Sequence, residues 1–276
     1  MRSALHAPYA RRGGGARPAA AEFVFVAVLL ALSAAAWVAV HHLATPHMRM
    51  GILTGAVRPG HSGGGMEPMP MSGGLFLGMW LVMMAAMMLP AVAPVIVRVD
   101  RMMRGRGLGG SRSYALVAGY LLVWGVAGVA AYALFQVFQV TASAAGFPVV
   151  ARVGAGVLLL AGVYQLTPMK NACLRQCRSP LAVVVRHGPR IAASRTGAVR
   201  AGVHHGAYCL GCCWALMAVL LAAGMMSLVW MGVLSVVVLA EKTAWNGVLL
   251  SRLLGAGMIA LAFVLIAAPE LSLTVT

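Results

Sequence analysis

The sequence predicts an all-α, polytopic transmembrane helix bundle of about seven helices. Three observations predict it. Of 276 residues, 61% are hydrophobic and only 9% are charged, whereas a soluble domain is roughly 45–50% apolar and about 25% charged. The apolar residues gather in runs near twenty long, the length a helix needs to cross the hydrocarbon at about 1.5 Å per residue. The 21 Lys and Arg, against 5 Asp and Glu, lie mostly between those runs. A mean hydropathy of +0.89 agrees, and together these numbers exclude both a soluble globular domain and a disordered chain. A formal charge of +16 would point to nucleic acid in a soluble protein. Here the basic residues bracket apolar segments, so the implied partner is the lipid bilayer and not nucleic acid.

The elements follow in order. Residues 1–22 form a basic tail with Arg2, Arg11, Arg12 and Arg17. Residues 23–43 are the first transmembrane segment. The basic start, apolar stretch and Ala34-Ala35-Ala36 also fit a cleaved signal peptide; the length of the run favours a retained anchor. Residues 44–74 are rich in His, Met, Gly and Pro and read as an outer loop without a packed core. The remaining segments are 75–97, 114–140, 149–168, 208–226, 228–240 and 248–268. The sixth is short, and either extends through Trp245 or pairs with the fifth as a tight hairpin around Ser227. Residues 169–207 are a basic, partly helical connection. Residues 75–268 thus make one membrane metal-binding domain, and 269–276 an outer tail.

Orientation follows from the rule that loops rich in Lys and Arg stay in the cytoplasm. Eighteen of the twenty-one basic residues fall on one side of this arrangement, with only Arg49, Arg58 and Arg152 on the other. The expected topology has the N-terminus in the cytoplasm and the C-terminus outside.

Five cysteines and nineteen methionines are the unusual part of the inventory. Cys173 and Cys177 are four apart, one helical turn, so a helix sets both sulfurs on one face. In His204-His205-Gly-Ala-Tyr-Cys209-Leu-Gly-Cys212-Cys213, helical geometry aligns His205, Cys209 and Cys212 as a stripe. All five cysteines fall toward the inner ends of the fourth and fifth segments. That side is reducing, which disfavours persistent disulfides. Thiolate and imidazole suit Cu(I) or Zn(II), so copper, or alternatively zinc, is the expected cofactor. Small cysteines also serve as packing residues. Met79, Met83 and Met87 form a second stripe, with Met84 and Met88 beside it. Such a stripe suits ordinary packing, and its thioethers also suit Cu(I). The loop holding His41, His42, His47, Met48, Met50, His61, Met66, Met69 and Met71 reads either as an outer copper site or as a linker. Glu241-Lys242 reads as an interfacial ion pair at a helix end. With five acidic residues in all and no paired carboxylates, acid–base hydrolysis is poorly supported.

These residues resemble a bacterial family, the predicted metal-binding integral membrane proteins, some of whose members are labelled copper chaperones. The resemblance rests on Met79-Trp80 with Met83-Met84-Ala85-Ala86-Met87-Met88-Leu89-Pro90. It rests also on Tyr164-Gln165-Leu166-Thr167-Pro168-Met169-Lys170 with Cys173 and Cys177-Arg178-Ser179-Pro180, and on His205-Gly206, Cys209 and Gly211-Cys212-Cys213-Trp214-Ala215-Leu216-Met217. Trp230-Met231 and Glu241-Lys242 extend it, so it spans about residues 75–242. The chain departs from the family where Arg98-Val-Asp100 follows Pro94 in place of an aromatic, and where Thr243-Ala244 follows Glu-Lys in place of proline. The resemblance implies a multi-pass protein of the bacterial inner membrane that handles a soft metal.

The expected function is copper handling: delivery, storage or maturation of a cuproprotein, in contact with that cuproprotein or with a metal donor. Cys173, Cys177, Cys209, Cys212 and Cys213, with His204 or His205, would be the ligands. Met79, Met83, Met84, Met87 and Met88 would be a relay. A second class is a thiol–disulfide oxidoreductase using the C-x-x-C spacing of Cys209 and Cys212, although no thioredoxin-like βαβ pattern accompanies it. A third is a metal-free scaffold.

Overall fold

A computed structural model describes residues 17–43, 72–105, 107–108, 110–145, 147–223 and 227–267. The described residues form helices and no strands. In chain order the helices are α1 (Arg17–Leu43), α2 (Gly73–Arg104), α3 (Ser111–Ala145), α4 (Phe147–Leu166), α5 (Pro168–Cys177), α6 (Pro180–Ala193), α7 (Arg195–Ala223), α8 (Leu228–Thr243) and α9 (Gly247–Ala267). Each of the seven expected segments falls on a helix. The connection at 169–207 supplies the two extra ones, α5 and α6, and the first turns of α7.

Five helices are long and apolar enough to cross a membrane, α1, α2, α3, α7 and α9, which makes this a multi-pass membrane protein. The apolar part of α4 and the whole of α8 are shorter. The fifth and sixth segments do form consecutive helices, and Ser227 caps α8 by accepting from the Trp230 N–H. The larger correction is at α7, which begins thirteen residues before the apolar run expected at 208. Hydropathy marks where a helix enters lipid, not where its hydrogen bonding starts, and Arg195 and Arg200 are good helix formers.

The short helices start where their caps dictate. Thr167-Pro168 and Ser179-Pro180 each place a hydroxyl at the N-cap and a proline at the first helical position. There the missing N–H costs nothing. The Thr167 hydroxyl accepts from Lys170 N, and the Ser179 hydroxyl from Ala182 N. Two breaks within thirteen residues fold α5 and α6 back against α7.

The helices pair α1 on α2, α3 on α7 and α4 on α9. α2 carries most of the main core, with Phe76, Trp80, Met84, Met87, Met88 and Leu89 buried. A smaller core joins α4, α7 and α9. The outward faces are apolar too: Val126, Leu160 and Val229 are 66–73% exposed, as lipid-facing residues should be. α3 and α7 approach closely because Gly202 has no side chain. A Cβ there would overlap the Leu116 carbonyl of α3. Close approach through small residues is how helices associate where lipid is as apolar as the side chains.

Pro90 sits inside α2. It lacks the N–H that would bond the Ala86 carbonyl, and an unpaired carbonyl costs several kcal/mol in lipid. Ser33 of α1 donates its hydroxyl to that carbonyl at 2.8 Å.

Candidate metal centre

α5 is polar overall but buries one stripe, Lys170, Leu174 and Cys177, spaced i, i+4 and i+7. That stripe faces α7, which presents its own stripe of His205, Cys209 and Cys212, all buried. The two meet at sulfur. The Sγ atoms of Cys177, Cys209 and Cys212 lie within 4.8 Å of one another. Three sulfurs around one ion at a metal–sulfur distance of ~2.3 Å would be about 4 Å apart in a trigonal site. The triad is therefore close to ligating geometry. Cys213 Sγ is 3.3 Å from Cys212 Sγ, so a fourth thiol adjoins it. All five cysteines are free thiols.

Cys209 lies nine residues beyond Arg200, roughly 13 Å along the axis of α7. It is buried within the bundle rather than at a helix end.

Several side chains bound the triad. Lys242 of α8 donates to Cys209 Sγ at 3.0 Å and approaches Met88 Sδ at 3.9 Å. Tyr120 of α3 brings its hydroxyl within 3.0 Å of the same Cys209 sulfur. Lys170 donates to the Cys212 carbonyl at 2.5 Å and to Glu241 at 2.7 Å. Gln165 donates to Glu241 at 3.3 Å, and the Ser251 hydroxyl donates to Gln165. The site thus joins α2, α3, α5, α7 and α8, with a polar support from α4 and α9.

Glu241 and Lys242 were expected to pair with each other and do not. Neighbours on a helix point in different directions, so Glu241 turns to Lys170 and Lys242 turns to the sulfurs. Lys170, Tyr120 and Gln165 were not singled out as site residues. Gln165 and Lys170 lay inside the motif, but a polar residue beside a basic loop reads as interfacial. Tyr120 had no signal in the sequence beyond an apolar run.

The remaining candidates divide. Cys173 stands at the edge of the buried stripe of α5, outside the triad. Its sulfur fits against Gly211, 2.8 Å from where a Cβ would stand, so Gly211 is the seat for this thiol. His204 is turned away from the sulfurs toward α6, with Nδ1 3.2 Å from His187 Nε2. His205 stacks near Tyr120, ring centroids 6.2 Å apart, and its buried Nε2 has no hydrogen-bond partner. Met79, Met83, Met84, Met87 and Met88 are all buried in α2, and Met88 is the one whose sulfur reaches Lys242. Of the outer-loop set, His41 and His42 end α1 as neighbouring rings. His47, Met48, Met50, His61, Met66, Met69 and Met71 lie outside the described residues.

On α5, outside the long spans, the thiols are held in the protonated form. The hydrogen bond with Cys209, and then burial, raise Cys177 above the ordinary thiol range. Burial raises Cys173, partly opposed by the Lys170 ammonium. Chemically, the arrangement is a buried cluster of soft donors beside an ammonium that already rests on one sulfur.

Residues 77–265, more than half of the chain, match the family model PpoB2, described as a copper chaperone. No curated protein and no solved structure matches the chain significantly.

Proposed function

Because the chain belongs to the PpoB2 copper chaperone family, we propose that it is a membrane copper handler. It holds Cu(I) on the sulfurs of Cys177, Cys209 and Cys212 and passes it toward a cuproprotein. The observation that carries this reading is the triad itself: three buried thiols within 4.8 Å of one another, drawn from two helices. Thiolate selects Cu(I) among the available ions, although Zn(II) also accepts it; the adjoining Met88 thioether favours copper, for which it is a ligand. Cys213, whose sulfur lies 3.3 Å from Cys212 Sγ, is the thiol placed to complete a shell. The stripe from Met79 to Met88 supplies thioethers along α2 as a relay.

Lys242 gives the site its second property. Its ammonium rests against Cys209 Sγ and Met88 Sδ, where a bound cation would sit. Each thiol that ligates the ion gives up its proton, the Lys242 ammonium balances negative charge left on the sulfurs, and returning those protons frees the ion. That suits a site that must release its cargo.

The thiol–disulfide reading requires an incoming partner to reach a sulfur in line. Cys209, Cys212 and Cys213 are at most 1% exposed, which favours metal over exchange. The test is Cu(I) competition against a chelator on the purified full-length protein under reducing conditions. Cys177→Ser, Cys209→Ser and Cys212→Ser are each expected to weaken Cu(I) binding by about 100-fold or more, in line with loss of one of three ligands. Wild-type protein that fails to hold Cu(I), or serine variants that hold it unchanged, would overturn the reading.

A further inference from the structure

α7 carries a second row beside its cysteine stripe. His204 and Tyr208, four apart, face α6, their rings 4.9 Å apart. α6 answers with His187, buried at 7% exposure. The two imidazoles meet nitrogen to nitrogen at 3.2 Å, in a cleft between α6 and α7 that is also lined by Gln176, Arg186 and His205. His187 Nδ1 and His205 Nε2 are buried there without hydrogen-bond partners. Gln176 is next to Cys177 in sequence, and His205 starts the row that continues to Cys209 and Cys212. His205 thus lines the cleft and belongs to the stripe of α7 that carries Cys209 and Cys212.

We infer that His187 and His204 form a second copper station, on imidazole nitrogen, one step before or after the sulfur triad, with His205 on the way between them. The distance supports it. Two nitrogens each about 2.0–2.1 Å from one ion lie roughly 3.3–3.6 Å apart at tetrahedral to trigonal angles. The observed 3.2 Å contact is a hydrogen bond, so an ion enters once the donor imidazole shifts that proton to its other nitrogen and the pair opens slightly. Imidazole is a ligand for copper, and the unpartnered His205 nitrogen lines the same cleft. Arg186, which donates to the Tyr208 hydroxyl at 3.1 Å, places a positive charge at the rim. That charge disfavours divalent ions more than monovalent ones, so the station is assigned to Cu(I).

This inference rests on the copper-handling reading, and the experiment separates the two. Purified full-length protein is loaded with Cu(I), and copper per chain and X-ray absorption at the copper edge are measured. Wild type is expected to hold two coppers per chain, one with a sulfur shell and one with a nitrogen shell. His187→Gln keeps a hydrogen-bonding side chain facing His204. It is expected to lose the nitrogen-bound copper, keep the sulfur-bound one, and slow loading of the triad from Cu(I)-glutathione about tenfold. Cys177→Ser/Cys209→Ser/Cys212→Ser is expected to show the reverse, and should that variant not fold, His187→Gln decides by itself. Unchanged copper content and nitrogen scattering in His187→Gln would overturn the station, leaving the histidine pair as a packing contact. Absence of sulfur scattering in wild type would instead overturn the triad.

Discussion

Lys170 and Glu241 are 0% and 1% exposed and 2.7 Å apart, so each is the reason the other is tolerated. A buried charge stripped of its partner costs roughly 3–5 kcal/mol, whereas replacing both by apolar residues is often neutral. Lys170→Met is therefore expected to lower thermal stability in detergent sharply. Lys170→Met/Glu241→Leu should recover most of the loss. A double variant as unstable as the single would show that Lys170 matters through the Cys212 carbonyl instead. Proton release is a second consequence at this scale. Cys177 is held above the ordinary thiol range, first by its bond to Cys209, yet a metal ligand must be thiolate. Each proton lost on binding makes Cu(I) affinity rise about tenfold per pH unit below the thiol's own value. Chelator competition at pH 6.5, 7.5 and 8.5 should show affinity climbing, and a flat profile would mean the thiols are already ionised. Part of the cysteine cluster was legible at this scale, since Cys209 and Cys212 read as one stripe from spacing alone. Their neighbours were not: Tyr120 comes from another helix 89 positions away, and no local pattern encodes such a meeting.

A hydroxyl before proline starts a helix at Thr167-Pro168 and at Ser179-Pro180, but the apolar run carried the expected fourth segment through Pro168 and hid the first of these starts. The faces of α5 were harder. Cys173 and Cys177 both satisfy i, i+4, but the buried stripe runs through Lys170, Leu174 and Cys177. A lysine at its head hides that stripe from any hydropathy reading. The methionine row poses the same problem on α2, where every candidate is buried and only contact distinguishes them. Met88 touches Lys242 beside the triad. Met88→Leu, near in volume and so mild for the fold, is expected to slow Cu(I) transfer. If the relay extends along the helix, Met83→Leu/Met87→Leu slows it as well; unchanged rates in both would return the row to packing. The contact of α3 with α7 gives a structural control. Gly202→Leu should separate the helices and reduce folded yield, because the carbonyl it would strike belongs to rigid backbone.

Over the whole molecule, composition was enough for the class, and charge bias proposes the topology. Reporter fusions after Arg106 and Arg195 are expected to report cytoplasm, and one after Gly64 periplasm; a periplasmic report from Arg195 would invert the arrangement around α5 and α6. Each of the seven apolar runs falls on a helix, and five of those helices are long and apolar enough to cross a membrane. What the runs could not give was the fold-back of α5 and α6, because a polar helix laid against a bundle looks, in one dimension, like a loop.

The hydroxyl of Ser33 has a consequence for the maturation of the chain. A leader that a peptidase removes must be dispensable to what remains, yet α1 fills the gap that Pro90 opens in α2 and buries Phe25 and Leu29 in the shared core. Cutting it away would leave the Ala86 carbonyl facing acyl chains, with nothing there to bond it. We propose that the first helix is kept as a strut of the finished protein, and intact-mass spectrometry of membrane-extracted material is expected to find it still attached.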